Sequence, residues 1–251
     1  MKKILTLIYF MSLALACNSA PKFNSDSVVV SHQIWDELLQ KHVDEEGQVD
    51  YSGFIASKDS LDAYLAILSA NPASDTWSNE ERLAYWINAY NAFTVLLIVD
   101  NYPLESIRDL HPTIYIPAVR TVWHRKFFKI GGKDMNLDTI EHGILRKEFD
   151  EPLIHFGIVC ASKSCPSLLN EAYDPKKIDE QLKERAIDFL SDESRNRLSK
   201  NEIHLSKIFS WFKGDFTKQG SLIDFLNRYS QVEISEDATI KYLKYDWSLN
   251  D

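Results

Sequence analysis

Ser78-Asn79-Glu80-Glu81-Arg82-Leu83-Ala84-Tyr85-Trp86-Ile87-Asn88-Ala89-Tyr90-Asn91-Ala92-Phe93-Thr94-Val95-Leu96-Leu97-Ile98-Val99 is the stretch whose reading decides the fold. Ser78 stands three places before Glu81, the spacing of a capping box, in which each side chain satisfies the other's backbone N–H. The apolar residues that follow leave no polar face. A helix of that kind sits at the centre of a domain rather than on its surface. Asn88 and Asn91 are three apart and share a face. A buried amide left unpaired costs about 1–3 kcal/mol, so this pair either ties loops to the helix or lines a site.

The neighbouring segments are mixed in type. Ile34, Leu38, Leu39 and Val43 predict an amphipathic helix over about 31–43, and Leu61, Leu65 and Leu68 another over about 58–70, stopped by Asn71-Pro72. Val119–Trp123 and Lys126–Ile130 read as strands, with Gly131-Gly132 as a hairpin turn. Asn136 caps a helix through Leu137, Ile140, Ile144 and Leu145 that carries Glu141-His142. Residues 153–160 read as a strand, and Asp174-Pro175 opens a helix through Ile178, Leu182, Ala186 and Leu190. A hairpin over 198–205, short helices over 206–212 and 221–229, and a strand over 239–246 complete the chain. Strands that come late and do not alternate with helices predict an α+β class. The expectation is one domain, 31–251, with a buried central helix and a small, mainly antiparallel sheet.

The chain has 251 residues, 45% hydrophobic and 26% charged, with net charge −9. So acidic a chain does not suit nucleic acid. Met1-Lys2-Lys3 precedes thirteen uncharged residues, Ile4 to Ala16, too few to span a membrane, which takes about 20. Basic start, apolar run and small residues form a signal peptide over 1–16. Leu13-Ala14-Leu15-Ala16-Cys17 resembles a bacterial lipobox, which makes Cys17 a lipidation site and the membrane a partner through that lipid. Ordinary cleavage after Ala16 would leave Cys17 free. Residues 17–30 then read as a tether.

Chemistry concentrates in Ile154-His155-Phe156-Gly157-Ile158-Val159-Cys160-Ala161-Ser162-Lys163-Ser164-Cys165-Pro166, which holds two of the three cysteines. A catalytic thiol needs a base and a group to orient that base. Cys165 and Cys160 are the candidate nucleophiles, His142 and His155 the candidate bases, and Glu141, Asn88 and Asn91 the candidate orienting or site-lining groups. On a regular strand His155 and Cys160 point to opposite faces. Cys160 then falls to the core, and catalysis rests on Cys165 in the turn with His142. Export also permits a Cys160–Cys165 disulfide. The histidines lack metal-ligand spacing, and neither a metal nor a cofactor is expected.

Five ordered motifs carry a family resemblance. They are Gly47–Tyr51, Tyr85–Ala92, Leu137–Arg146, Ile154-His155-Phe156 running into Cys160 and Cys165-Pro166 with Ala172-Tyr173, and Tyr245–Asn250. Over about residues 35–250 the chain resembles the family called domain of unknown function 547. The family includes exported bacterial proteins and plant proteins with an added coiled coil, and it implies no established activity. A papain- or transglutaminase-like arrangement is a loose analogy, since the helix position it points to holds Asn91 rather than a cysteine. The reading is therefore an exported, lipid-anchored envelope protein with a binding or scaffolding role. The alternative is a cysteine-dependent hydrolase or acyltransferase acting on an envelope peptide. The enzyme requires a histidine nitrogen within about 4 Å of a cysteine sulfur, in a cleft.

Overall fold

In a computed structural model of the chain, which describes residues 21–23, 26–116 and 120–251, the central helix is where the sequence places it. The signal peptide and Cys17 lie outside the described residues. Helices α2 (Tyr51–Ala56) and α3 (Lys58–Ala70) pack against α4 (Asn79–Val99), and α1 (Gln33–His42) packs on α2 and α3. Every residue of α4 from Leu83 to Val99 except Leu96 is buried. The capping box is closed in both directions, Glu81 N–H to Ser78 Oγ at 3.1 Å and Ser78 N–H to Glu81 Oε2 at 2.7 Å. Tyr85 anchors the end of α3 by donating to the Leu68 carbonyl at 2.7 Å.

The hairpin of β1 (Phe128–Ile130) and β2 (Lys133–Met135) turns on Gly131 and Gly132, with φ of 56° and 75°. Two consecutive positive φ angles are what a tight two-residue hairpin requires. Phe128 stacks on Phe93 of α4 at 3.8 Å. A π-helical segment, Thr139–Leu145, follows and runs into the short helix α5 (Arg146–Glu148). Asn136 caps it as expected, its Oδ1 accepting from Thr139 N–H at 2.7 Å.

Two expected strands are corrected. Around 119–123, Ile116 and Arg120 form only an isolated bridge, and Val122–His124 is a 3-10 turn. Local hydrogen bonds win there: Thr121 Oγ1 pairs with His124 Nδ1 at 2.8 Å, and Val122 N–H donates to His111 Nδ1 at 3.1 Å. In 153–160, Ile154–Gly157 is one helical turn, α6, and the chain becomes extended only at Ile158. Pro152 and Glu151 start the turn, His155 N–H donating to the Pro152 carbonyl and Leu153 N–H to Glu151 Oε1. The segment is buried on every side, and periodicity cannot tell a short apolar helix from a strand. Gly157 has no room for a side chain, since a Cβ there would lie 2.7 Å from Leu182 Cδ2.

Helix α7 (Ile178–Ser191) leads to a three-stranded sheet with order β3 (Arg197–Leu198), β4 (Glu202–Leu205), β5 (Thr239–Tyr242). β3–β4 is antiparallel and β4–β5 parallel. Helices α8 (Ile208–Trp211), α9 (Lys213–Phe216) and α10 (Leu222–Tyr229) lie between β4 and β5. The class is α+β. Part of the expected tether packs on this body: Phe23 lies against Trp86, Ser27 accepts from Trp77 Nε1, and Val30 is buried.

The last residues form a strap across the molecule. Leu249 N–H donates to the Glu105 carbonyl, and Tyr51 donates to Asn250 Oδ1 at 2.8 Å. The carbonyls of Ser248 and Asp246 accept from the N–H groups of Lys163 and Ser164. Gly47, at φ 80°, lets α2's approach lie on Ser167; a Cβ at Gly47 would stand 2.4 Å from the Ser167 Cβ. The first and last motifs thus hold the cysteine loop from two sides.

Candidate functional site

The site begins with the two amides on α4. Asn88 donates to the Tyr173 carbonyl at 2.9 Å and accepts from Tyr173 N–H at 3.0 Å. Asn91 does the same one turn on, donating to the Gly157 carbonyl at 2.9 Å and accepting from Val159 N–H at 3.0 Å. Neither lines the cleft. Asn91 fixes the C-terminal end of α6, and so where the extended run Ile158–Cys160 leaves it, while Asn88 fixes Tyr173 ahead of α7.

That run ends on the floor of a cleft of about 590 Å³. Cys160, Cys165, Glu141, His142 and His155, the five candidate catalytic residues, all line it. Their exposure reverses the expected ranking. Cys165, 4% exposed, is buried, and Cys160 is the half-buried residue of the pair. The reasoning that sent Cys160 to the core assumed a regular strand from His155, and α6 removes that strand.

No disulfide joins the pair; both are free thiols. Cys160 N–H donates to Cys165 Sγ at 2.8 Å. The Cys160 sulfur lies 3.2 Å from Ser162 Oγ and 3.3 Å from Tyr245 Oη. Burial alone would push the Cys160 thiol up, but the Cys165 thiol and the Ser162 and Tyr245 hydroxyls hold it below the ordinary thiol value. Burial, and then the neighbouring Cys160, push the Cys165 thiol well up. Charge on this pair therefore rests on Cys160, the less buried residue of the two.

The histidines face other partners. Asp215 accepts from His155 Nε2 at 2.7 Å and from Arg146 Nε and a terminal nitrogen at 2.6 and 3.1 Å. The remaining Arg146 nitrogen donates to His142 Nδ1 at 2.7 Å. His155 also stacks on Phe212 at 4.0 Å. Burial disfavours a charged Asp215, yet the bonds from His155 and Arg146 hold its carboxyl far below the usual carboxylate range. Burial likewise holds His155 below the usual histidine value, with Asp215 opposing. Among the described residues no histidine hydrogen-bonds to either sulfur. The histidine-activated thiol required for hydrolysis or acyl transfer is not assembled, because both candidate bases are bound to the Arg146–Asp215 pair.

Glu141 lies in the cleft, buried, with Tyr90 Oη donating to its Oε2 at 3.4 Å. Burial raises its carboxyl, with the His142 and Arg146 charges opposing. Beside the thiols rises an aromatic wall that no sequence motif marks as a unit. Trp123, Trp247, Trp211 and Tyr245 form a chain of ring contacts at 5.8, 5.8 and 4.8 Å, and Arg108 lies 5.3 Å over Trp247. The Tyr245–Asn250 motif was a signal for part of it. Trp211 and Asp215 come from two short helices with no pattern of their own. Among the described residues no group of three or more His, Cys, Asp or Glu side chains could hold a metal ion, and no helix is long and apolar enough to cross a membrane.

No curated protein and no solved structure matches the chain. The cleft's thiols, Glu141, both histidines and the two pinning asparagines all fall within residues 74–190, which match the model of a family described as protein of unknown function, DUF547.

Proposed function

We propose that this is an exported envelope protein, anchored by a lipid on Cys17, whose domain binds an envelope peptide in the aromatic-walled cleft. The aromatic wall is the observation that carries the binding reading. Four large rings with part of their faces open to a cleft of about 590 Å³ present a rigid apolar surface at low entropic cost. The same cleft is lined by polar groups suited to a peptide backbone: the Glu141 carboxyl and the His124–Asp138 pair at 3.4 Å. Export and anchoring rest on Met1–Ala16 and on Cys17. The histidine arrangement supports binding over hydrolysis, since the residues that would activate a thiol are engaged elsewhere.

Two measurements test the reading. Short peptides with an aromatic or apolar side chain should quench the intrinsic tryptophan fluorescence saturably, and Trp247→Ala should weaken binding by roughly tenfold or more, as loss of a central aromatic contact does. Quenching that Trp247→Ala leaves unchanged, or quenching by oligosaccharides and not by peptides, would reject the peptide cleft. For the anchor, the wild-type chain should label with fatty acid and sediment with membranes, while Cys17→Ser does neither. A Cys17→Ser chain that still sediments would reject lipidation.

A further inference from the structure

We propose that Cys160 and Cys165 are a nucleophilic and a resolving thiol, and that the cleft performs thiol–disulfide exchange with a disulfide-bonded peptide or small molecule. The substrate would enter by the cleft described above, and only in that respect does this inference rest on peptide binding.

Position and chemistry assign the two roles. Both cysteines line the cleft, but Cys160 is the half-buried one, its sulfur 3.3 Å from Tyr245 Oη at the foot of the aromatic wall, whereas Cys165 is buried. The resolving sulfur must be close, and Cys165 Sγ is 2.8 Å from the Cys160 backbone nitrogen. The intervening turn is held in place. Ala161 takes a positive φ of 54°, Cys165 N–H donates to the Ser162 carbonyl at 2.9 Å, and the strap carbonyls of Ser248 and Asp246 bind Lys163 and Ser164. Ser164 Oγ returns the contact, accepting from Asp246 N–H at 2.8 Å. A left-handed alanine is a strained conformation that its surroundings must impose, and here it folds the second sulfur back under the first.

Exchange also suits what the cleft lacks. Acyl transfer needs a base that later protonates a leaving amine. Disulfide exchange needs a thiolate with access to a sulfur, and its leaving group is itself a stable thiolate. The Ser162 and Tyr245 hydroxyls serve as donors to the Cys160 thiolate without a histidine.

The reaction balances without a further co-reactant. The Cys160 thiolate attacks one sulfur of the substrate disulfide; that S–S bond breaks, and one half leaves as a thiolate that takes a proton from water. The product is a mixed disulfide on Cys160. The Cys165 thiol then loses its proton to water and attacks Cys160 Sγ. A Cys160–Cys165 disulfide forms and the second half leaves as a thiolate, which takes a proton from water. The substrate is reduced by two electrons and the dithiol is oxidised by two, and the sequence runs in reverse when the partner is a dithiol.

The test uses the full chain carrying Cys17→Ser, so that no third thiol competes, with oxidised glutathione as probe and intact mass as readout. The parent should lose two hydrogens and gain no stable adduct. Cys165→Ala should stop at one glutathione adduct, mapped to Cys160, and Cys160→Ser should react at least roughly tenfold more slowly than the parent, as expected when the accessible thiolate is removed. Competitive labelling of the parent with limiting iodoacetamide covers a variant that fails to fold: Cys160 should be alkylated before Cys165. Alkylation of Cys165 first, an adduct that persists in the parent, or Cys160→Ser reacting at the parent's rate would overturn the proposal. Peptide binding is read separately by fluorescence in the Cys160→Ser, Cys165→Ala double variant. No exchange in the parent, with binding retained, rejects only the thiol chemistry, and exchange in the parent without peptide binding rejects only the peptide cleft.

Discussion

Two pairs of side chains in this molecule look alike on paper and behave in opposite ways. Asn88 and Asn91 are both buried, and each closes a donor–acceptor loop with a distant backbone segment. Cys160 and Cys165 lie on the segment that Asn91 holds. Both line a cleft, and neither is committed to a disulfide. The amides are buried away from the cleft, out of a ligand's reach, and their role is to position. The thiols have reserve capacity because a sulfur needs little hydrogen bonding to be tolerated in an interior. A site here is thus built in two layers, a rigid polar frame on α4 and a softer pair of groups projecting from it.

Breaking the frame should have the largest effect. Asn91→Ala orphans the Gly157 carbonyl and the Val159 N–H, two buried groups, and should cost about 2–4 kcal/mol. Urea unfolding reads this directly, and a midpoint within error of the parent would mean that α6 is held by something other than the amide. The variant should also lose selective alkylation of Cys160 even where it remains folded, since Val159 leads into that residue.

A second closed pair tests the same idea by pH. His32 Nδ1 accepts from Tyr64 Oη at 2.7 Å, and burial lowers its pKa from 6.5 to about 4, with Asp174 opposing. The folded chain therefore binds fewer protons than the unfolded one between those values. Its contribution is fully present above pH 6.5 and is lost as the pH falls toward 4, on the order of 2 kcal/mol. Asp215, held below the usual carboxylate range, acts with the same sign at still lower pH. Stability measured across this range should fall on acidification, and His32→Gln should flatten the limb above pH 4. An unchanged slope would show that His32 is not the titrating group.

The thiols should give the smallest effect on stability. Cys160→Ser keeps the size and a hydrogen-bonding group beside Ser162 and Tyr245, and should shift stability by less than about 1 kcal/mol. Loss of several kcal/mol would place Cys160 with the frame and erase the contrast with Asn91.

Much of the frame was legible in the residues. The capping box, the all-round burial of α4, the Gly131-Gly132 hairpin and the Asn136 cap are local rules with one physical solution each, and all four are formed. The cysteine segment was legible as a place but not as an arrangement. Leu153–Val159 is apolar except for His155 and buried on every side, so neither period shows. The turn of helix is settled by Pro152, by Gly157 against Leu182, and by Asn91 reaching across from α4. With the strand went the ranking of the two cysteines. Asp215 was invisible for a related reason: its partners Arg146 and His155 are remote in sequence, 69 and 60 residues away.

By itself, then, the sequence determined the α+β class, the enclosed central helix, the spacing of its two amides and the segment where thiol chemistry would sit. These follow from hydrophobic burial and short-range hydrogen bonding, which act over a few residues. Only the tertiary structure decided which cysteine is the less buried, which acid holds the histidines, and that tryptophans from three separate segments form one wall. Those outcomes depend on contacts between elements far apart in the chain, where register and direction are set by packing rather than by any local preference.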